Sequence, residues 1–267
     1  MGKRKQWFHQ QSQAAQHLEK LHRRLRKKPD ESALHQFRIG LRSLRIQLFA
    51  LKRSPPLERT LVHMKAAGNA TNALRDRDAL LGLIADWPTD LTSPLIASIN
   101  DNAPPPDAAP RVMRLKGFDK TMRRLPLLLR ALMPGKTRLQ KRIRRTASKL
   151  RHQSVEQLQL LTPQTEPERW HDARITIKKL RYLHEHLAAW LPRRWHQLAG
   201  SAKPAQEALG HLHDLDVLAA HYGNAFSPAL TLYWQEQRAS ALARAGTAAQ
   251  TLLQALTHQP STASTYT

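Results

Sequence analysis

Two runs of basic side chains have a spacing that suits the binding of phosphate groups. The first stripe contains His35, Arg38, Arg42 and Arg45, and the second stripe contains His171, Arg174, Lys178 and Arg181. On a helix the members of each stripe fall within about 80° of one another over about 15 Å, with no acid among them. An arginine guanidinium donates two parallel hydrogen bonds to phosphate oxygens, and histidine adds a donor whose charge depends on pH. A row of this length suits a phosphate polymer better than a single phosphate.

The two stripes belong to a longer internal repeat. Residues 35–45 align without gaps on residues 171–181, a shift of 136 residues. Further along, residues 74–80 (LRDRDAL) align on residues 212–218 (LHDLDVL), a shift of 138, and at that shift Lys65 falls on Lys203. Two motifs in the same order at nearly the same shift predict a duplicated unit with halves of about 1–134 and 135–258.

The elements that must position these residues are predicted to be helices throughout. The chain has only ten glycines and is rich in Ala, Leu, Arg, Lys and Gln, and no segment reads convincingly as a strand. Proline-marked breaks delimit about eight helices, four in each half. The longest break, 87–110, is predicted to be an exposed crossover with one short helical piece around 94–100. The tail 259–267 is predicted to be disordered.

Each stripe lies opposite an apolar face, as expected of a helix in a bundle. In the first copy this face contains Leu34, Phe37, Leu41, Leu44, Leu48 and Leu51. In the second copy it is thinner, because His184 intrudes among Ala173, Ile177, Leu180 and Leu187. Core and basic stripe are therefore predicted to lie on opposite sides of each helix.

The charge of the chain indicates an anionic partner. Lys and Arg number 43 against 20 Asp and Glu, which gives a formal net charge of +23. Charge reports the sign of the partner and not its identity, so nucleic acid, an acidic membrane surface, an acidic protein and phosphate polymers all fit. The absence of cysteine excludes disulfides, thiol catalysis and thiolate zinc sites. No stretch reads as a signal peptide or a membrane span, so we expect a cytoplasmic protein with no membrane partner.

The doubled pattern resembles the CHAD family, the conserved-histidine α-helical domain. Each half of that family carries an H-x-x-R-[VI]-x-x-[RK]-x-x-R helix followed by an L-G-x-x-R-D-x-D-V-L-type helix, and both halves of this chain match both motifs. The resemblance implies two four-helix bundles with pseudo-twofold symmetry and a basic groove or pore that binds inorganic polyphosphate. It implies a stand-alone member, since the E-x-E-x-K start of a fused triphosphate tunnel domain is not seen. We therefore expect residues 1–258 to form a single domain of two repeats.

The resemblance also implies which side chains contact phosphate. They are the eight members of the two stripes, joined by Lys65, Arg75, Lys203 and His213 on the following helices. The chain departs from the family pattern where Asn72 replaces the glycine that Gly210 retains, and where His213 replaces an arginine. By spacing alone, a third basic row shares one helical face and extends the predicted surface: Arg138, Lys141, Arg142, Arg145 and Lys149.

No residue pattern predicts catalysis, a metal site or a cofactor. Paired candidates occur two residues apart, at His184 and His186, His211 and His213, Asp76 and Asp78, and Asp214 and Asp216. On a helix such pairs lie about 160° apart and do not share a face, so one aspartate of each pair is expected to brace arginines or bond between helices. No phosphate-binding loop, nucleophile elbow or carboxylate cluster accompanies the stripes, and we expect a protein without enzymatic activity.

Three functions fit these observations. The leading one is polyphosphate binding, with targeting to polyphosphate granules or their organisation as the role. The alternative is non-specific nucleic-acid binding, although aromatic residues make up only 6% of the chain and neither stripe contains one. A third, an adaptor for an acidic protein, requires an exposed apolar patch beside a stripe. Exchange of Arg38, Arg42, Arg174 and Lys178 for Glu is expected to abolish polyanion binding and to leave melting nearly unchanged.

Overall fold

The computed structural model describes residues 2–28, 30–49, 51, 54–102 and 113–258, without the side chains of residues 73–76 and 194. Regular structure in these residues is helical throughout, which confirms the predicted all-α class. The α-helices are α1 (Lys3–Lys27), α2 (Glu31–Leu48), α3 (Pro55–Ala70), α4 (Asn72–Leu83), α5 (Thr89–Asp101), α6 (Phe118–Leu132), α7 (Lys136–Gln159), α8 (Pro167–Leu187), α9 (Leu198–Tyr222) and α10 (Pro228–Thr257). None of these described helices is long and apolar enough to cross a membrane.

Capping residues and prolines mark where several helices begin. The Asp30 carboxylate accepts a hydrogen bond from the backbone N–H of Ala33 at 2.7 Å and caps α2. Ser227 caps α10 by accepting from the N–H of Leu230 at 3.1 Å. Helices α3, α8 and α10 have proline in the first turn, where its missing N–H costs nothing and its fixed φ suits a helix. These starts agree with the breaks predicted from the sequence.

The described residues contain two more helices than the eight predicted. One predicted segment is divided at Thr71 into α3 and α4, where the buried Thr71 hydroxyl lies 3.2 Å from the Ala67 carbonyl oxygen and 2.9 Å from that of Gly68. Such side-chain bonds compete with the helical backbone ladder. The short piece predicted around 94–100 is the longer helix α5. The rest of the predicted crossover, 103–110, and the tail 259–267 lie outside the described residues.

The chain divides into two compact units, of which the first comprises Met1–Gly82 and Ile99–Ile143. Within it α1 packs against α2 and α6, and α3 packs against the same two helices. Large apolar side chains such as Trp7, Phe37 and Phe118 are fully buried. The predicted apolar face of α2 is buried except for Leu34, which is half-buried.

A buried histidine joins α1 to α6 in this unit. The ring nitrogens of His22 lie 2.6 Å from Asp119 Oδ1 and 2.7 Å from the Met113 carbonyl oxygen. Both ring nitrogens therefore face oxygen acceptors, one on α6 and one just before it. The ring also lies against Phe37 and Phe118, with centroids 6.1 and 4.8 Å away. This contact closes the first unit between segments distant in sequence.

The second unit comprises Leu83–Ser98 and Arg144–Thr267, and within it α9 packs against α8 and α10. The predicted apolar face of α8 is buried, and so is the intruding His184. Its Nδ1 donates to the carbonyl oxygen of Trp195 at 3.0 Å, and burial lowers the pKa of His184 to about 4. The histidine is therefore a neutral core residue at pH 7.

The compact units differ from the predicted sequence halves. Residues 83–98 belong to the second unit although they precede position 134, and residues 135–143 belong to the first. The halves were defined by repeated motifs, whereas the units are defined by packing, so the duplication stays a prediction from the sequence.

Candidate polyanion-binding stripes

The first stripe lies on α2, and its members differ in how far they are exposed. His35 is exposed, and Arg42 and Arg45 are half-buried. Burial lowers the pKa of Arg45, and the positive charge of Arg42 lowers this pKa further. A guanidinium stays charged at physiological pH. The lowered pKa therefore reflects burial first and the neighbouring positive charge second, and a bound anion would offset the second cause.

Arg38 differs from the rest of its stripe because it is only 7% exposed. Its Nη1 donates to Thr71 Oγ1 at 2.9 Å and to the Gly68 carbonyl oxygen at 3.4 Å, and its Nη2 donates to Asn72 Oδ1 at 3.1 Å. These bonds fasten α2 to the break between α3 and α4. Asn72, the residue that stands in place of the family glycine, is thus an acceptor for a stripe arginine.

The other predicted cations of the first half and the third basic row lie on three further helices. Lys65 is exposed on α3, whereas the side chain of Arg75, whose backbone belongs to α4, lies outside the described residues. The third basic row lies on α7, where Arg142 is half-buried and the other members are exposed: Arg138, Lys141, Arg145 and Lys149. The exposure of this row leaves its cations accessible to solvent.

In the second stripe His171 on α8 meets His213 on α9. Their Nδ1 atoms are 3.1 Å apart and their ring centroids 4.3 Å apart. At this separation one Nδ1 donates and the other accepts, which requires at least one neutral ring. Both residues were predicted at the site, and the structure adds their direct contact.

Positive charge surrounds this histidine pair. Burial lowers the pKa of His213 to about 4, and the charges of Arg174, His171 and Lys178 act on this pKa in the same direction. Burial is also the main cause that lowers the pKa of His171, with Arg174 and Lys178 adding to it and Asp172 opposing it. Both rings are therefore neutral at pH 7 beside two permanent cations. A bound anion would reverse that balance and favour the imidazolium form.

Arg174 lies beside Gly210 of α9, the position equivalent to Asn72 in the first copy. A Cβ added at Gly210 would lie 3.6 Å from Arg174 Nε, an ordinary contact distance. Arg174 Nη2 lies 3.9 Å from Asp214 Oδ1. The two stripes thus engage the following helix through the same arginine position, with an asparagine acceptor in the first and a carboxylate in the second.

The remaining cations of the second stripe have local partners. Arg181 Nε lies 3.2 Å from Glu185 Oε1, and its guanidinium lies 5.0 Å from the centroid of the Tyr182 ring. Lys178 is half-buried, and Lys203 is exposed with its Nζ 3.9 Å from a carboxylate on the same helix. Pairs of this kind contribute little to stability when exposed, so a stronger anion can replace the carboxylate.

The structure also contains a cleft that the sequence did not predict. It lies next to His171 and His213 and has a volume of about 650 Å³. Its wall includes Arg238 on α10, whose Nε donates to Asp216 Oδ1 at 2.6 Å. Asp214 and Asp216 therefore both lie beside arginines, in the bracing role expected of one of them. Arg238 was missed because it belongs to neither repeated motif.

The paired histidines of α8 and α9 have other contacts. His184 bonds to Trp195, His186 stacks on Tyr182 with ring centroids 5.9 Å apart, and His213 pairs with His171. Within the part of the chain that the structure describes, no group of three or more His, Asp and Glu side chains is arranged to hold a metal ion.

This chain is similar to known proteins both in sequence and in fold. A family model described as the CHAD domain matches residues 10–223. The crystal structure of the CHAD domain from the plant Ricinus communis has a similar fold, with a TM-score of 0.65 and 18% sequence identity, covering 92% of this chain and 89% of that chain. At this identity the likeness shows the fold alone. No curated protein matches this chain.

Proposed function

Since this chain belongs to the CHAD-domain family, we propose that it binds inorganic polyphosphate along its two basic stripes. The observation that carries the proposal is the cluster on α8 and α9, where Arg174 and Lys178 adjoin two histidines that are neutral in the free protein. A phosphate group there would accept hydrogen bonds from the cations and from histidines that become protonated on binding. The bound anion would thus offset the positive charges that add to burial in keeping both histidines neutral in the free protein.

A polymer fits the stripes better than a small phosphate ester. Each stripe extends over roughly 15 Å, several times the size of one phosphate group, and repeats its cations once per helical turn. Neither stripe contains an aromatic side chain on which a base would stack. These features favour a ligand whose charges recur at short intervals and which lacks bases.

We also propose that the protein binds this polymer without cleaving it. The stripes consist of Arg, Lys and His side chains, which grip phosphate oxygens, and include no carboxylate to activate a water or to hold a magnesium ion for attack on phosphorus. We place the protein in the cytoplasm, where it would be targeted to polyphosphate granules or would organise them.

Calorimetric titration with long-chain polyphosphate, beside length-matched single- and double-stranded DNA at about 150 mM salt, tests the proposal. We expect tight binding of polyphosphate and weak binding of both DNAs. DNA binding that equals or exceeds polyphosphate binding would instead identify a non-specific nucleic-acid-binding protein.

Paired variants test whether the stripes are the site. We expect Arg42→Glu with Lys178→Glu to weaken polyphosphate binding by about 100-fold, because each reverses a partly buried cation on a stripe. The control, Lys20→Glu with Arg193→Glu, makes the same change in net charge at exposed positions, one in each unit. An equal loss in the two variants would show that net charge alone accounts for the binding, and it would refute the stripe assignment.

A further inference from the structure

We propose that the groove between α3 and α6 in the first unit is a docking site for an acidic, amphipathic segment of a partner protein. The groove has a volume of about 480 Å³ and is lined by side chains of both helices. It lies outside both stripes, and the proposed polyphosphate function makes no use of it.

The rim of the groove is cationic on both sides. Arg59 and His63 are one turn apart on α3, and Lys120 and Arg124 are one turn apart on α6. Arg59, Lys120 and Arg124 are exposed, and His63 is half-buried. None of the described residues that line the groove is acidic. A partner with carboxylates on both flanks would complement the two pairs.

The acids nearest in sequence do not line the groove. Asp119 precedes Lys120, but its Oδ1 is bonded to the buried His22. Glu58 precedes Arg59, but the two positions are about 100° apart around α3, which places Glu58 away from the groove.

Between the cations the groove is apolar. Leu125 is buried, Leu128 is half-buried, and Leu127 is 70% exposed. Covering an exposed leucine beside a groove removes apolar surface from water and so stabilises the complex with a partner. Polyphosphate and nucleic-acid backbones have no apolar group to do this, whereas an amphipathic peptide does. The combination of apolar lining and cationic rim therefore favours an acidic peptide.

A hydrogen-bond chain holds His63, the half-buried residue of the rim, in place. Thr121 Oγ1 donates to the Gly117 carbonyl oxygen at 2.9 Å, so it accepts from His63 Nδ1, which lies 2.6 Å away. Nδ1 is thereby fixed as the donor, and Nε2 is the nitrogen that can meet a ligand. Gly117 has φ of +81°, a left-handed conformation that glycine adopts without strain. This part of the rim is thus organised before any partner binds.

The groove and the predicted phosphate contact of α3 lie on opposite sides of that helix. Lys65, the predicted phosphate contact on α3, is two positions after His63, which places it about 160° away around the helix. Along α6 the groove extends from Gly117 to Leu128, about 16 Å, enough for roughly three turns of a bound helix.

Fluorescence anisotropy with a labelled peptide tests the docking site. The probe is a designed helix of about 14 residues with leucines at i and i+4 flanked by glutamates, and a scrambled peptide of equal composition is its control. We expect the helix, and not the scrambled peptide, to bind the full chain. Lys120→Glu with Arg124→Glu should weaken that binding by about tenfold or more, whereas Lys20→Glu with Lys27→Glu, an equal charge change on exposed positions of α1, should leave it within about twofold.

Leu127, the exposed leucine beside the groove, has a matched control elsewhere in the chain. Leu127→Ser should weaken peptide binding, whereas Leu232→Ser, at a similarly exposed leucine on α10, should not. Equal losses in the two serine variants, or equal binding of the scrambled peptide, would overturn the proposal. A second outcome would also overturn it. If the wild type does not bind the peptide and Lys120→Glu with Arg124→Glu loses polyphosphate binding, the groove is another polyanion site. The stripe variant Arg42→Glu with Lys178→Glu should keep peptide binding, which separates this proposal from the polyphosphate one.

Discussion

Arg38 and Arg174 occupy equivalent places in the two stripes and have different surroundings. Arg38 is buried and donates to the break between α3 and α4, whereas Arg174 is more exposed and lies near a carboxylate at 3.9 Å. A buried guanidinium with neutral acceptors belongs to the packing of its unit, since leaving such acceptors unpaired is costly. The exchange of Arg38, Arg42, Arg174 and Lys178 for Glu should therefore lower the melting temperature, contrary to the expectation from the sequence.

Arg38→Ala should destabilise the protein by about 2–4 kcal/mol, because it leaves a cavity and unpaired polar groups near Thr71. Arg42→Ala, one turn further along α2 and half-buried, should cost less than about 1 kcal/mol. Urea unfolding of both variants measures the difference. Equal, small losses would mean that the Arg38 bonds contribute nothing to the first unit.

Polyphosphate affinity should rise as the pH falls from about 6.5 toward 4. The pKa of His213 is lowered from its ordinary 6.5 to about 4 in the free protein, and a bound phosphate raises it. Binding therefore takes up a proton in this window. The affinity for polyphosphate rises by up to about tenfold for each unit by which binding raises the pKa of His213. Calorimetry at several pH values should show this trend, and His213→Gln should flatten it. Affinity that falls with the pH would contradict this account of the histidine pair.

The free protein should respond to the same titration with the opposite sign. Because the folded-state pKa of His213 lies below the unfolded value, the unfolded chain binds more protons between about pH 6.5 and 4. This histidine therefore lowers stability as the pH falls through that window. Polyphosphate should offset the loss, which thermal unfolding with and without ligand would show.

At the scale of helices, α8 and α9 are joined where Arg174 passes Gly210. A β-carbon at that position would meet Arg174 Nε at 3.6 Å, a distance that requires no movement. The glycine is therefore not needed for clearance, although it lies within a helix where it weakens helical propensity. In the first copy Asn72 stands at the equivalent position and accepts from Arg38.

Gly210→Ala should stabilise the protein by about 0.5–1 kcal/mol, since alanine loses less backbone entropy in a helix. Chemical unfolding gives the change, and polyphosphate binding should stay within about twofold. A loss of stability would show that Arg174 needs the space beyond Gly210. Gly246, inside α10 with no neighbour near an added Cβ, provides the matched Gly→Ala control.

For the whole molecule, the net charge of +23 opposes the folded state through self-repulsion. Added salt should therefore raise the melting temperature by screening, and polyphosphate should raise it more at equal ionic strength because it binds the folded chain. The stripe variant Arg42→Glu with Lys178→Glu should keep the salt effect and lose most of the polyphosphate effect. A polyphosphate effect of equal size in wild type and variant would place binding outside the stripes.

Local pattern determined the helical class, the apolar faces of α2 and α8, and the helix starts at prolines and caps. These follow from residue spacing and propensity, which act over a few turns. The tertiary structure decided that Arg38 is buried, that His171 meets His213, that Thr71 divides a helix and that α3 and α6 form a cationic groove. Such features depend on which distant helix packs beside each side chain, because burial and hydrogen-bond partners are set by the neighbouring helix rather than by the helix that carries the residue.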